Sequence, residues 1–593
     1  MLTILSSEET IESDEALAQL ARFLGLPVEI VPLAGDRSAP PPVPGAGSGG
    51  RALALGQKTL RRVYEQAWFA ALLKEAPFAF VYGFGARPEE LPELKWFTAG
   101  ACATVANAGA ATGENRFAVD AQVVPGFPVS GRSFAIESSG LESAAAFAGP
   151  RATTPVTAAI TVNGRPYFLR IDSWRAVRFL LAEPALVSID LALVPEQSLR
   201  PWYAQLIAQV LFLRTAFGDG CWTSPVTGAT LIIDDPYLKP RYGFVRYAAL
   251  LPELERLGGA LTVAFIPFNY RRSDPATVAL ARQFASRFSI AVHGCDHTAG
   301  EYASTDEVWL KNVTARALSR MDSHAAKTLM PYDNVMVFPQ GRFSISALQA
   351  LAACGIAAAV NSGPWPVDSG QDRLTIRDLL EPAVTRHGGV PIFLRHYPDQ
   401  VFDYAFDALF QKPVLAVEHH AYFRGGYRSL AELVREVSSL SPKVTWLPLA
   451  SALAASYQIK RTNAGRVSLR HFMPELRFRN PAPTELHLAM EMPQRDGQVQ
   501  AIMAGGREVP FEVRAGRLTY AIDLRPGEEV NVTVRPSAIQ RPSQPAPWKY
   551  RLRVQVRRTL SDLRDNHLAR NERLLNLAAK TLKRFTGKKP AGP

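Results

Sequence analysis

"FSIAVHGCDH", residues 288–297, runs through apolar residues, stops at His293 and reaches His297 one helical turn later. The first part reads as a short buried strand. The same pattern recurs on both sides of it. "TLIIDD" (230–235), "LTVAFIP" (261–267), "NVMVFP" (334–339), "IAAAVN" (356–361), "VPIFLRHY" (390–397), "PVLAVEHH" (413–420) and "VTWLPL" (444–449) are equally short and apolar. Helical periodicity fills most of the gaps, at 243–257, 275–286, 306–326, 344–354, 401–411, 429–439 and 449–458. Strands alternating with helices imply a parallel sheet. Seven or eight such units between residues 225 and 460 imply a closed (β/α) barrel, with an open doubly wound sheet as the second choice.

In such barrels the reacting groups gather where strands end at the C-terminal face. The polar residues at those ends stand out here. One strand ends in Asp234–Asp235, another in His293 with His297 beyond it, and a late one in Glu418–His419–His420. Seven of the ten histidines fall between 293 and 420. One carboxylate and two neutral imidazoles leave positions open on a divalent ion, as in a catalytic rather than a closed structural site. Adjacent aspartates on a strand point to opposite faces, so they suit different tasks. One can ligate a metal while the other takes a proton. Each feature alone has an ordinary explanation as a cap, a loop or a solvated face, and only the conjunction points to a site. His324, His387, His471, His487 and His567 read as structural. His396, at a strand end, is a weak further candidate.

The ordered set "IIDDP", "HGCDH", "FPQG" and "LAVEHH" resembles the motifs of the polysaccharide deacetylase superfamily, over about residues 225–460. The resemblance implies a distorted (β/α) barrel and a metal-dependent hydrolase that removes N-acetyl groups from a glycan. It implies Asp234 as general base. Asp235, His293 and His297 would hold a divalent metal, most commonly zinc. The backbone N–H of Gln340 would be an oxyanion donor, and His420, with His419 as substitute, the general acid. The sequence departs from the family at Val337, where an arginine is usual, at Gln340, where an aromatic residue is usual, and at Pro236. Arg342 is a candidate for the displaced charge. A catalytically degenerate glycan-binding protein on the same barrel, or an amidohydrolase for a small non-sugar amide, stays open beside the deacetylase reading.

The rest of the chain frames the barrel. At 593 residues it exceeds a single core. Residues 1–200 read as an α/β domain of unknown role, with strands at "LTILSS", "PVEIVPL", 76–84, 165–171 and 186–194 and a helix over 11–24. The Gly45, Gly47, Gly50 pattern follows a proline run, not a strand, and reads as a loop rather than a nucleotide site. Residues 465–537 read as a β-sandwich of seven short strands. The net charge of +12 sits almost wholly at the end: residues 541–593 carry 14 Lys/Arg against 3 Asp/Glu. That basic amphipathic tail (548–593) is read first as a solvated tail and next as a contact to an anionic membrane surface. Nucleic acid comes last, because few aromatics interleave the charges. No span of about 18 apolar residues and no secretory signal is read, and the four cysteines are scattered. The expected location is therefore the cytoplasm, peripheral to the inner membrane surface if the tail binds it. The expected partner is an N-acetylated glycan.

Overall fold

The computed structural model describes residues 1–33, 52–109, 113–137, 144–148, 156–173, 176–368, 370, 373–463, 465–493, 499–537, 539–542 and 544–566. The glycine pattern at 45–50, His567 and the rest of the tail lie outside the described residues.

The expected barrel is present. Its strands are Thr227–Asp234, Leu261–Phe265, Phe288–His293, Asp333–Val337, Ala358–Asn361, Ile392–Leu394 and Val414–His419, here the first to seventh. The first six pair in parallel, each with the next, and the seventh returns to pair with the first. The ring closes between the sixth and seventh through His396, two residues past the sixth. His396 N–H donates to Leu415 O (2.9 Å), and Val417 N–H donates to His396 O (2.9 Å). An eighth short strand, Val444–Trp446, pairs only with the start of the first. The ring is thus a seven-stranded, distorted (β/α) barrel.

Strand alternation fills its interior with Ile232, Ala264, Ala291, Val335, Val337, Val360, Phe393 and Leu415, all essentially inaccessible to solvent. The small alanines among larger residues let seven strands close tightly. Helices start where their sequences cap them. Asp274, Asp306 and Ser344 each accept a backbone N–H from the first turn of the helix that follows. The 22-residue helix Glu307–Thr328 runs behind the third strand and supplies the arginines that reach the site.

The N-terminal region is a nine-stranded mixed sheet, parallel through Val28–Pro32, Leu2–Ser6, Ala52–Gly56, Phe78–Tyr82 and Ala176–Leu181, then antiparallel through Arg165–Ser173 onward. The helix Tyr203–Phe217 is mostly apolar, is buried all round over residues 203–213, and lies between this sheet and the barrel. Its Phe212 stacks on Phe80 (4.8 Å) and its Tyr203 on Phe406 (3.8 Å).

Residues 186–194 do not form the expected strand. They cross as irregular chain to the barrel, burying Ile189 and Leu193 and bonding to residues 374–377. The apolar run there serves docking, not pairing. The C-terminal sandwich packs a five-stranded sheet on a four-stranded one around Leu488, Ile502, Leu518 and Val532. It has nine strands where seven were expected. Gln458–Asn463 joins as an edge strand, and Pro510, lacking an N–H, splits "VPFEVRAG" into two strands of different sheets.

Candidate metal centre and barrel mouth

Asp234, His293 and His419 stand two residues beyond the interior positions Ile232, Ala291 and Val417 on their strands, so alternation turns them toward the barrel axis. Asp234 and His419 are also register partners across the first and seventh strands. Asp235 would face outward if the strand continued. Its backbone instead turns left-handed at φ 83°. That conformation is uncommon for a non-glycine residue, and it brings the carboxylate back to the histidines. Asp235 Oδ1 lies 3.4 Å from His297 Nε2 and 3.8 Å from His293 Nε2. All three ligand atoms fall within 4.8 Å of one another. His297 (φ 54°) and Gln340 (φ 59°) adopt the same uncommon backbone region, so the site concentrates conformations that need outside support.

The loop carrying His297 gets that support from Glu301. Its carboxylate accepts the N–H groups of Cys295 (2.9 Å), Asp296 (2.9 Å) and His297 (3.3 Å). Burial raises the Glu301 carboxyl to about 7, with the Asp296 charge adding to it. Gly294 allows the loop to close. A Cβ there would sit 2.6 Å from Glu301 Oε2 and 2.9 Å from Pro339 Cγ. Asp296, between the two histidines, is no ligand. It is buried and paired with Arg320 (2.6 Å) and Arg316 (3.5 Å). Cys295, Asp296 and Glu301 also cluster closely. Arginines and backbone donors already satisfy that carboxylate pair.

The residues fit a divalent ion. His293 Nδ1 lies 2.9 Å from Val337 O, and a proton donated there leaves Nε2 as a free lone pair toward Asp235. Burial lowers the His297 pKa, which keeps the imidazole neutral. Burial works against the Asp235 charge, but the two histidines and Arg558 outweigh it and hold its pKa below the usual carboxylate range. Asp235 Oδ1 is buried with no hydrogen-bond donor, a costly state for a carboxylate that a cation relieves.

Asp234 has a partner that the sequence reading missed. Arg395 donates from both terminal nitrogens to both carboxylate oxygens, at 2.8 Å each. Burial pushes the Asp234 pKa up, yet Arg395, His293 and His419 together bring it down to about 2. Arg395 is 4% exposed and stands two residues past the interior Phe393. It supplies the charge sought in Arg342, which is exposed. The signal was present in "FLRHYPD" as a charge continuing an inward-facing alternation. His396 beside it is structural: it closes the ring, and its Nε2 meets Asp407 at 2.9 Å.

Of the two histidines at the seventh strand's end, His419 is the register partner of Asp234, and His420 packs on other groups. It stacks on Phe244 (5.9 Å) and lies 3.9 Å from Asp565. Gln340 sits at the rim after Pro339, its side chain accepting the Gly300 N–H (3.1 Å). His324 faces Ser273, and His471 is held by Met473 O and Tyr520.

The mouth is covered by the helix Trp548–Asn566. Tyr550 donates to Asp296 (3.0 Å), Tyr242 donates to Asp565 (3.0 Å), and Arg272 pairs with Asp562 (2.5 Å). Arg558 is 2% exposed, with Nε and Nη2 lacking hydrogen-bond partners.

No family model and no curated protein matches this chain. Among solved structures, the chain is similar to Agd3, described as a novel carbohydrate deacetylase, at 11% identity and a TM-score of 0.47. That match covers 91% of this chain and 99% of the other. A family 4 carbohydrate esterase from Streptomyces lividans in complex with acetate matches at 12% identity and a TM-score of 0.23, covering 37% of this chain and 91% of the other. A Streptococcus mutans esterase of the same family matches at 14% identity and a TM-score of 0.23, covering 37% and 86%.

Proposed function

We propose that the chain is a metal-dependent hydrolase that removes N-acetyl groups from a glycan. One observation carries the reading. A carboxylate and two imidazole nitrogens converge on one point, Asp235 to His297 and His293, beside a second carboxylate, Asp234, locked by an arginine fork. A mere binding surface has no use for the second carboxylate. The N-acetylated glycan comes from the motif resemblance.

Asp235, His293 and His297 would hold the ion, with zinc suited to this mixed nitrogen–oxygen set. A bound divalent ion supplies Lewis acidity toward water and an amide carbonyl. The chain's own groups do the rest. Asp234, ionised, takes the proton of the attacking water, and Arg395 fixes the direction of its lone pairs. The N–H of Gln340 faces the developing oxyanion. His419, beside Asp234 on the adjacent strand, gives a proton to the departing amine. Amide and water become acetate and a free amino sugar. The register favours His419 over His420 for this role, because His419 shares the inward face with Asp234.

Asp234→Asn keeps the size of the side chain and removes its basicity. The expected result is retained metal with acetate release from N-acetylglucosamine oligomers down by about 10²–10⁴-fold. Near wild-type release by this variant would overturn the assignment.

Among the described residues no helix is long and apolar enough to cross a membrane. The four cysteines are all buried free thiols. We infer a cytoplasmic location from them, as a reducing compartment leaves such thiols unpaired.

A further inference from the structure

The C-terminal helix is seated with its polarity reversed. A surface helix ordinarily turns its apolar stripe to the core. Here the inner face carries Tyr550, Val554, Arg558, Asp562 and Asp565, of which Tyr550, Asp562 and Asp565 bond to the barrel mouth. The outer face carries Trp548, Leu552, Val556, Leu560 and Leu563, exposed by 63, 57, 52, 61 and 50%. At 3.6 residues per turn these five lie within an arc of about 120°. They are five of the fourteen large apolar side chains exposed among the described residues, and they form one continuous stripe. Single exposed apolar residues need no explanation, but a stripe does.

The borders of the stripe indicate what covers it. Lys549, Arg553, Arg557 and Arg564 follow one edge and Arg551 the other. The helix holds six Lys/Arg against two Asp, a net charge of +4. A second copy packed on this face would bring like charges together. A bilayer with anionic headgroups instead neutralises the edges and takes up the stripe, with Trp548 at the interface.

We propose that the outer face of this helix is a docking surface for an anionic lipid bilayer. The helix binds while seated, because the face is already exposed. Its inner face rests on the barrel segments around Asp296, Tyr242 and Arg272. A bound chain therefore holds its barrel mouth toward the membrane. This proposal does not depend on the reaction catalysed there.

The test is co-sedimentation of the full chain with vesicles of phosphatidylcholine alone and of phosphatidylcholine mixed with phosphatidylglycerol. Wild type should sediment with the mixed vesicles only, and less at high salt. Leu552→Glu with Val556→Glu should lower the partition by at least about tenfold and leave the thermal melt unchanged, since both side chains face solvent. A blue shift of tryptophan fluorescence on adding mixed vesicles, reduced in Trp548→Phe, gives a second readout. Wild type left in the supernatant would overturn the proposal. So would undiminished binding by the double variant, which would assign it to the basic residues beyond 566. A dimer in light scattering that the double variant dissolves, without vesicle binding, would assign the face to a second copy instead.

Discussion

Asp234 closes the first barrel strand in extended backbone, and Asp235 turns left-handed immediately after it. That single change of conformation sends neighbouring carboxylates to different partners, one to Arg395 and one to the histidines. The pair was legible in "IIDDP"; Arg395 was legible only as a charge continuing an inward-facing alternation, and its pairing with Asp234, 161 residues away, is made by barrel closure. Removing it has a calculable consequence. Arg395→Ala leaves a buried carboxylate unpaired, and the chain should lose about 3–5 kcal/mol of stability in denaturant unfolding. A loss below about 1 kcal/mol would show that solvent, not Arg395, balances Asp234.

At the scale of elements, seven barrel strands and their helices follow the sequence periodicity closely, because each strand is buried on both faces and each helix on one. The stretch 186–194 misled because apolar content there reflects docking between layers, which has no period. The loop after the third strand shows what periodicity cannot report. Its geometry depends on Glu301 collecting three successive N–H groups, a tertiary bond set with no spacing signature. Glu301→Ala frees those donors and lets His297 drift. Divalent-ion affinity should fall about 10–100-fold, as when other supports of metal ligands are removed. Titration with zinc in competition with a chelator measures it, and unchanged affinity would show that the loop holds itself.

Across the whole molecule, the C-terminal residues looked like a basic amphipathic tail, and the sequence could not tell which face would seek the barrel. Hydrophobicity alone points the wrong way, since charges anchor the helix and apolar residues face out. The sandwich supplies a pH test. Burial lowers His471 from 6.5 to about 4. The unfolded chain therefore binds this proton more readily than the folded one between those values. The stabilisation is full above about pH 6.5 and is lost as pH falls toward 4, amounting to about 3 kcal/mol. Melting temperatures at pH 7 and 4.5 should differ less in His471→Gln than in wild type, and an equal drop would place the acid sensitivity elsewhere.

The measurement that bears most directly on the account is metal content by elemental analysis, made on wild type and on the His293→Ala, His297→Ala double variant after both are loaded with zinc. The geometry at Asp235 predicts about one tightly held divalent ion per wild-type chain and almost none in the variant, with both proteins folded. A wild-type chain that cannot be loaded with zinc, cobalt, nickel or manganese, or a variant that keeps its ion, would contradict it.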